Sequence, residues 1–231
     1  MNLLMNLLKK NLLKASFFAF VFSVVSAAAL PSFAQAARPD ALKLYKSGNY
    51  KEAIRVCQEE LNDPSRGTAQ DIESYVVLCW SLVANKQYRE AEKSVAQARQ
   101  LSSYDARLLE IQAESKFYLE KYDEAMNLLQ QYVVIPNADK KGSQRIGLSY
   151  YLMGEIYIRQ KKWEHADIAI SKAVDTEPGM SFWWSKLGYA REQAGYYQDA
   201  IVAYNKAISL NASSSDDARR GLVRCQAKLN P

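Results

Sequence analysis

An aromatic residue followed three places later by alanine marks five near-regular positions along the chain, Tyr50/Ala53, Tyr88/Ala91, Tyr122/Ala125, Trp163/Ala166 and Tyr197/Ala200. The steps between anchors are 38, 34, 41 and 34 residues. Self-similarity near this period belongs to stacked helical hairpins, each burying its apolar face on the next, rather than to one globular core. A chain of this kind presents a surface, and that weighs against a catalyst.

Two further positions follow each anchor. Seven residues on stand Cys57, Val95, Leu129, Ile170 and Tyr204; ten residues on stand Glu60, Ala98, Tyr132, Ala173 and Ala207. Offsets of 3, 7 and 10 share one face of an α-helix, so each phrase reads as an amphipathic helix. Alanine at the third offset lets two helices approach closely at no cost in helix propensity. A partner helix precedes each anchor, most clearly in Trp184-x-x-Leu187-Gly188 and Tyr150-x-x-Met153-Gly154, and more weakly in Tyr75-x-x-Leu78-Cys79. Glycine inside a helix costs about 1 kcal/mol against alanine. Close packing against the following helix is the expected compensation at Gly154 and Gly188. Turn residues divide the two helices at Ser47-Gly48-Asn49, Asn85-Lys86, Gln160-Lys161-Lys162 and Ala194-Gly195. Pro64, Pro136 and Pro178 fall between repeats, where a helix must stop.

These residues resemble the tetratricopeptide repeat family, whose pattern joins an aromatic and Leu-Gly on one helix to Tyr-x-x-Ala, an aromatic and Ala on the next. The fifth copy matches best, through Trp184, Leu187, Gly188, Gly195, Tyr197, Ala200, Tyr204 and Ala207. The third departs most: Gln112 and Lys116 stand at apolar places, and Tyr132 at a small one. The resemblance implies an all-α, right-handed superhelical solenoid of about five hairpins. The boundaries read as a leader at 1–36, repeats at 37–71, 72–105, 106–146, 147–180 and 181–214, and a capping helix at 215–230. For that last helix, Ser213 to Asp217 offer N-cap residues, and Ala218, Leu222, Cys225 and Leu229 an apolar stripe that covers the final repeat.

The first residues are of another kind. Lys9, Lys10 and Lys14 precede an apolar run from Ala15 to Leu30, then Pro31 and the small-residue pattern Ala34-Gln35-Ala36. Basic, apolar and small in that order describe a secretory signal peptide, cleaved after Ala36 or after Ala34. An uncleaved N-terminal membrane anchor is the alternative, although the apolar run is short of the roughly 20 residues that span a bilayer. No cysteine stands near the cleavage site to carry a lipid. The expected compartment is a periplasm or the exterior. Cleavage after Ala36 leaves 27 basic and 25 acidic residues, a net charge of +2. No contiguous basic face stands out, so nucleic acid is not an expected partner.

Little supports chemistry. His165 is the only histidine and neighbours a charged stretch, Lys161 to Glu164. A nucleophile–histidine pairing, a zinc spacing and a phosphate-binding loop are all missing from the sequence, and no cofactor or metal is expected. Cys57 and Cys79 lie on helices that should be neighbours, so a bridge is open to them; buried free thiols are the favoured alternative. Cys225 falls on the capping helix's core stripe.

The resemblance also implies that each first helix lines a concave wall, which in this family commonly grips an extended peptide or a partner's helix. Rotation about the first helix from its core stripe gives Val76, Trp80, Glu110, Glu114, Tyr151, Glu155, Ser185 and Tyr189 as candidate groove residues. Aromatic and acidic together, this wall suits a protein segment carrying apolar side chains and one or two Lys or Arg. It lacks the Lys and Asn that clamp acidic C-terminal tails in some members, and its three glutamates should repel such a tail. The connection from Pro136 to Arg145 adds about seven residues to the repeat; it reads as a solvated loop or as a docking loop using Lys140, Lys141 and Arg145. The expected function is protein–protein interaction in envelope assembly, transport or secretion. Self-association as a structural protein and small-ligand binding as a transport accessory subunit are the alternatives.

Overall fold

The structure is a computed structural model that describes residues 39–135 and 145–230. The leader at 1–36 and the loop residues Lys140 and Lys141 lie outside the described residues. Eleven α-helices, one short 3-10 turn and no strand occur among the described residues. They form five hairpins: α1 (Ala41–Lys46) with α2 (Tyr50–Leu61), α3 (Thr68–Ala84) with α4 (Tyr88–Leu101), α5 (Ala106–Tyr118) with α6 (Tyr122–Val133), α7 (Ile146–Arg159) with α8 (Trp163–Thr176), and α9 (Ser181–Ala194) with α10 (Tyr197–Leu210). A last helix, α11 (Asp216–Leu229), closes the stack. Each helix packs on the next in sequence. The first helices also touch one another in series, α1 to α3 to α5 to α7 and α9 to α11. The fold is an all-α solenoid, with the odd-numbered helices along one wall.

The repeated phrase builds the core. The anchor alanines Ala53, Ala91, Ala125, Ala166 and Ala200 are fully buried, and the side chains at the seventh offset, from Cys57 to Tyr204, are at most 1% exposed. The small residue on the preceding helix meets that seventh-offset side chain. A Cβ on Gly188 would stand 2.6 Å from the Tyr204 ring, and one on Gly154 would collide with Ile170. Gly221 of α11 presses on the same tyrosine from the other side. Tyr204 therefore lies clamped between two glycines, which locks the cap to the fifth hairpin. Ala41, Cys79 and Ala113 hold the place of Gly154 and Gly188 in the first three hairpins and are buried too.

The turns share one device. Two residues before each anchor the backbone is left-handed, at Gly48 (φ 80), Lys86 (φ 62), Glu120 (φ 61), Lys161 (φ 56) and Gly195 (φ 85). The next amide then bonds five residues back, as Asn49 N to Leu44 O at 2.9 Å and Tyr196 N to Arg191 O at 2.9 Å. This is the helix-ending motif in which glycine carries no Cβ penalty. Three of the five turns hold that conformation with a side chain.

The third repeat keeps its frame by other means. Gln112 accepts a hydrogen bond from Arg99. Lys116 pairs with Glu92 at 3.0 Å and with Glu124 at 2.6 Å. Tyr132, in place of a small residue, is fully buried in a separate cluster with Ala106 and Leu109. Its bulk fills the junction with the fourth repeat, where Ile146 packs on the same cluster.

The cap differs in two details from expectation. Ser215 precedes α11, but its hydroxyl donates backward, to the carbonyls of Ala207 at 3.3 Å and of Asn211, rather than capping its own helix. Ala218 and Cys225 are buried, whereas Leu229 is exposed. Cys57, Cys79 and Cys225 are buried free thiols. Burial pushes the Cys57 thiol up to about 12. No helix among the described residues is long and apolar enough to cross a membrane.

Candidate functional site

The inner wall carries two concavities. The first, of about 240 Å³, lies toward the N-terminal end and is lined by Tyr45, Trp80, Lys86, Tyr88, Glu114, Tyr118 and Arg145 among others. Its walls are two stacked aromatic pairs. Tyr45 of α1 lies on Trp80 of α3 at 5.8 Å between centroids, and Tyr88 of α4 on Tyr118 of α5 at 4.5 Å. Glu110 and Glu114 stand one turn apart on α5, so both point the same way. Both are buried, at 1% and 4% exposure.

One guanidinium serves both carboxylates. Arg145, just before α7, places Nη2 2.6 Å from Glu114 Oε2 and Nε 3.5 Å from Glu110 Oε1. Neither oxygen of Glu110 nor the buried Trp80 indole N–H makes a hydrogen bond of good geometry, although the two groups are polar neighbours. Burial pushes the Glu110 carboxyl up to about 8, against the pull of Arg145 and with added repulsion from Glu114. Glu114 is raised by burial too, again opposed by Arg145. Burial raises Tyr118 to about 12, and Glu114 adds to it.

The second concavity, of about 540 Å³, lies between α7, α9 and α11. Glu155 is again buried, at 6% exposure. Here two cations hold the one acid: Arg159 at 2.8 Å and Lys186 at 3.1 Å. Arg159 also lies over the rings of Phe117 and Tyr122, at 5.2 and 5.3 Å from their centroids, and Lys186 lies 5.3 Å from that of Phe182. Across the opening, Arg224 grips Glu192 with two bonds, at 2.6 and 2.8 Å, and the Tyr204 hydroxyl donates to Glu192 at 2.6 Å. Burial favours the neutral Glu192, but Arg224 and Tyr204 outweigh it and hold the carboxyl below its usual range. Arg220 pairs with Asp217 at the rim. The charges that remain in contact with solvent are mainly cations, with side-chain exposures of 41% for Arg159, 31% for Lys186, 65% for Arg220 and 52% for Arg224.

The structure distributes the eight sequence-derived groove residues between these places and the core. Glu114 lines the first concavity with Trp80, which is half-buried. Glu155, Ser185 and Tyr189 line the second. Val76 is fully buried, and Tyr151 is 8% exposed, its ring stacked 5.2 Å from Trp183. The expectation of three free glutamates meeting a ligand is corrected: all three are buried and each faces at least one cation. The repulsion that they were expected to exert on an acidic tail is neutralised by Arg145, Arg159 and Lys186. Arg145, assigned to a loop by sequence, is part of the wall. Tyr45, Tyr118, Phe182, Lys186, Arg220 and Arg224 had no sequence signal, because a repeat pattern marks core positions and these stand beside it. His165 is exposed, 5.3 Å from the ring of Tyr157. Among the described residues no cluster of three His, Cys, Asp or Glu side chains is placed to hold a metal.

Residues 184–214 match the tetratricopeptide repeat family model. The chain matches none of the curated proteins by sequence. Among solved structures it is similar to a crystal structure of MamA, with TM-score 0.57 and 20% identity over 77% of this chain and 97% of that one. MamA from Desulfovibrio magneticus RS-1, residues 41 to the end, gives TM-score 0.57 and 18% identity, covering 75% of this chain and 92% of that one. The Cut9–Hcn1 hetero-tetramer of the APC/C gives TM-score 0.67 and 15% identity over 80% of this chain but only 34% of that one. At these identities the likeness is one of fold.

Proposed function

We propose that this protein is an exported scaffold that recognises a partner protein along its inner wall, in envelope assembly, transport or secretion. The observation that carries it is the wall itself. Odd-numbered helices touch in series, and their concave side holds half-buried aromatic rings beside charged groups. Aromatic anchors ringed by polar groups suit peptide recognition by a preformed surface. The matched repeat and the shared solenoid fold support an interaction module. Lys9, Lys10, Lys14, the apolar run and Ala34-Gln35-Ala36 support export.

Cross-linking in native cells followed by mass spectrometry tests the reading. Recurring envelope partners should be captured by the parent and lost on Lys186→Glu together with Arg220→Glu. Retention of every partner by that variant contradicts recognition through the wall. N-terminal sequencing of the mature protein should begin at Ala37; an intact Met1 contradicts cleavage.

Self-association has one observation in its favour. Ile168 and Val202 occupy matching places five residues after their anchors and are each 61% exposed. The first three hairpins place Arg55, Lys93 and Asn127 there. A concentration-dependent dimer abolished by Ile168→Asp with Val202→Asp would support this reading.

A further inference from the structure

The N-terminal concavity holds an electrostatic imbalance. Among the described residues, two buried carboxylates, Glu110 and Glu114, share one guanidinium, that of Arg145. Lys86 also reaches the concavity but is exposed at its rim. Glu110 is 1% exposed and makes no hydrogen bond of good geometry at either oxygen; its polar neighbours, besides the distant Arg145 Nε, are the Trp80 indole N–H and the Glu114 carboxyl. A buried carboxylate without donors is costly, and such a group calls for a proton, a water or a bound cation. The walls above it are aromatic faces, Tyr45 on Trp80 and Tyr88 on Tyr118. Aromatic faces next to a carboxylate attract organic cations by the ring quadrupole and by charge. At the opposite end of the wall the excess is reversed: two cations meet the one acid, Glu155.

We propose that this aromatic slot binds the cationic head of a lysine or arginine side chain from the partner protein, held by Glu114. The incoming ammonium or guanidinium bonds Glu114, which lines the slot. Arg145 then turns its fork onto Glu110, to which its Nε is already directed at 3.5 Å. Binding expels the proton that burial leaves on Glu110, so that two cations meet two carboxylates. A long side chain is required, because the charged floor lies below rings on both sides. This inference rests on the scaffold reading and specifies one chemical feature of its partner.

The test uses the mature protein and three probes: a Gly-Lys-Gly tripeptide blocked at both ends, its norleucine counterpart, and butylamine as a free amine. The Trp80 indole N–H resonance, assigned through Trp80→Phe, reports occupancy. The lysine peptide should shift it with saturation, the norleucine peptide should not, and butylamine should bind more weakly than the lysine peptide. Glu114→Gln should weaken the lysine peptide by roughly tenfold or more, the worth of one charge-assisted contact. Tyr118→Ala should weaken it as well; at 41% exposure that ring is removable without loss of the fold. Equal shifts from the lysine and norleucine peptides, or unchanged affinity in both variants, overturn the proposal. Butylamine binding without lysine-peptide binding also overturns it, in favour of a small amine. Partner capture separates this inference from the scaffold reading. Capture that survives Glu114→Gln but not Lys186→Glu with Arg220→Glu removes the slot and keeps the scaffold. A slot that binds the lysine peptide while no wall variant changes capture keeps the cation site and removes the scaffold.

Discussion

The two ends of the inner wall solve the same problem in opposite ways. Each buries glutamate on a first helix, Glu110 and Glu114 on α5 and Glu155 on α7. At the N-terminal end the acids outnumber the buried cation among the described residues, and aromatic rings line the concavity. At the C-terminal end the cations outnumber the acid and remain in contact with solvent. Packing differs in parallel. The last two hairpins use glycine at Gly154 and Gly188 against Ile170 and Tyr204, whereas the first three use Ala41, Cys79 and Ala113. Equivalent positions in a repeat therefore share geometry but not electrostatics; the charge a ligand meets is set by which neighbouring repeat covers the site.

The largest expected effect breaks the charge comparison. Arg145→Ala leaves the buried Glu110–Glu114 pair without its cation and should cost about 3–5 kcal/mol in urea unfolding at neutral pH. The loss should shrink in acid, where both carboxyls protonate. Lys186→Ala removes a partly exposed partner while Arg159 still holds Glu155, and should cost about 0–1 kcal/mol. Equal losses contradict the contrast between the two ends. Gly188→Ala drives a methyl into the Tyr204 ring and should cost about 1–3 kcal/mol by the same assay. Ala113→Gly, at the matching place, opens space instead and should cost about 1 kcal/mol, mainly through helix propensity.

A further effect is specific to pH. The Glu110 carboxyl is raised in the fold from 4.5 to about 8. The folded state thus binds this proton more tightly than the unfolded chain. Its contribution is full below the unfolded value, declines as pH rises, and is gone above the folded value. Glu92, Asp105 and Glu192 are lowered by their cations, with the opposite sign, and cancel in the parent-minus-variant difference, which reports Glu110 together with its coupled neighbour Glu114. Relative to Glu110→Gln, the parent should lose stability between about pH 4.5 and 8. A constant difference contradicts the burial account. Small effects are also expected at the turns. Lys161→Gly relieves a left-handed side chain and should add about 1 kcal/mol, while Gly195→Ala should remove about 1 kcal/mol.

The sequence made the hairpins legible because their packing rule is periodic. Tyr-x-x-Ala and the seventh-offset side chains locate second helices, and Gly154 and Gly188 locate the close approaches. Ala41 and Ala113 do the same work, but alanine is too common in helices to mark them. The slot was not legible as a unit. Tyr45, Trp80, Tyr118 and Arg145 come from three repeats and a connection, and no local pattern joins them. Rotation about α5 placed Glu110 and Glu114 on the inner side, but it does not reveal that Arg145 and two aromatic pairs cover them.

The most direct test of recognition along the inner wall is a photo-cross-linking amino acid placed singly at Tyr118 and Tyr189, on the wall, and at Lys93 and Ile168, on the second helices. The account predicts that the two wall positions capture the same partner in native cells and that Lys93 and Ile168 do not. Capture from Lys93 or Ile168 with silence at Tyr118 and Tyr189 would contradict it.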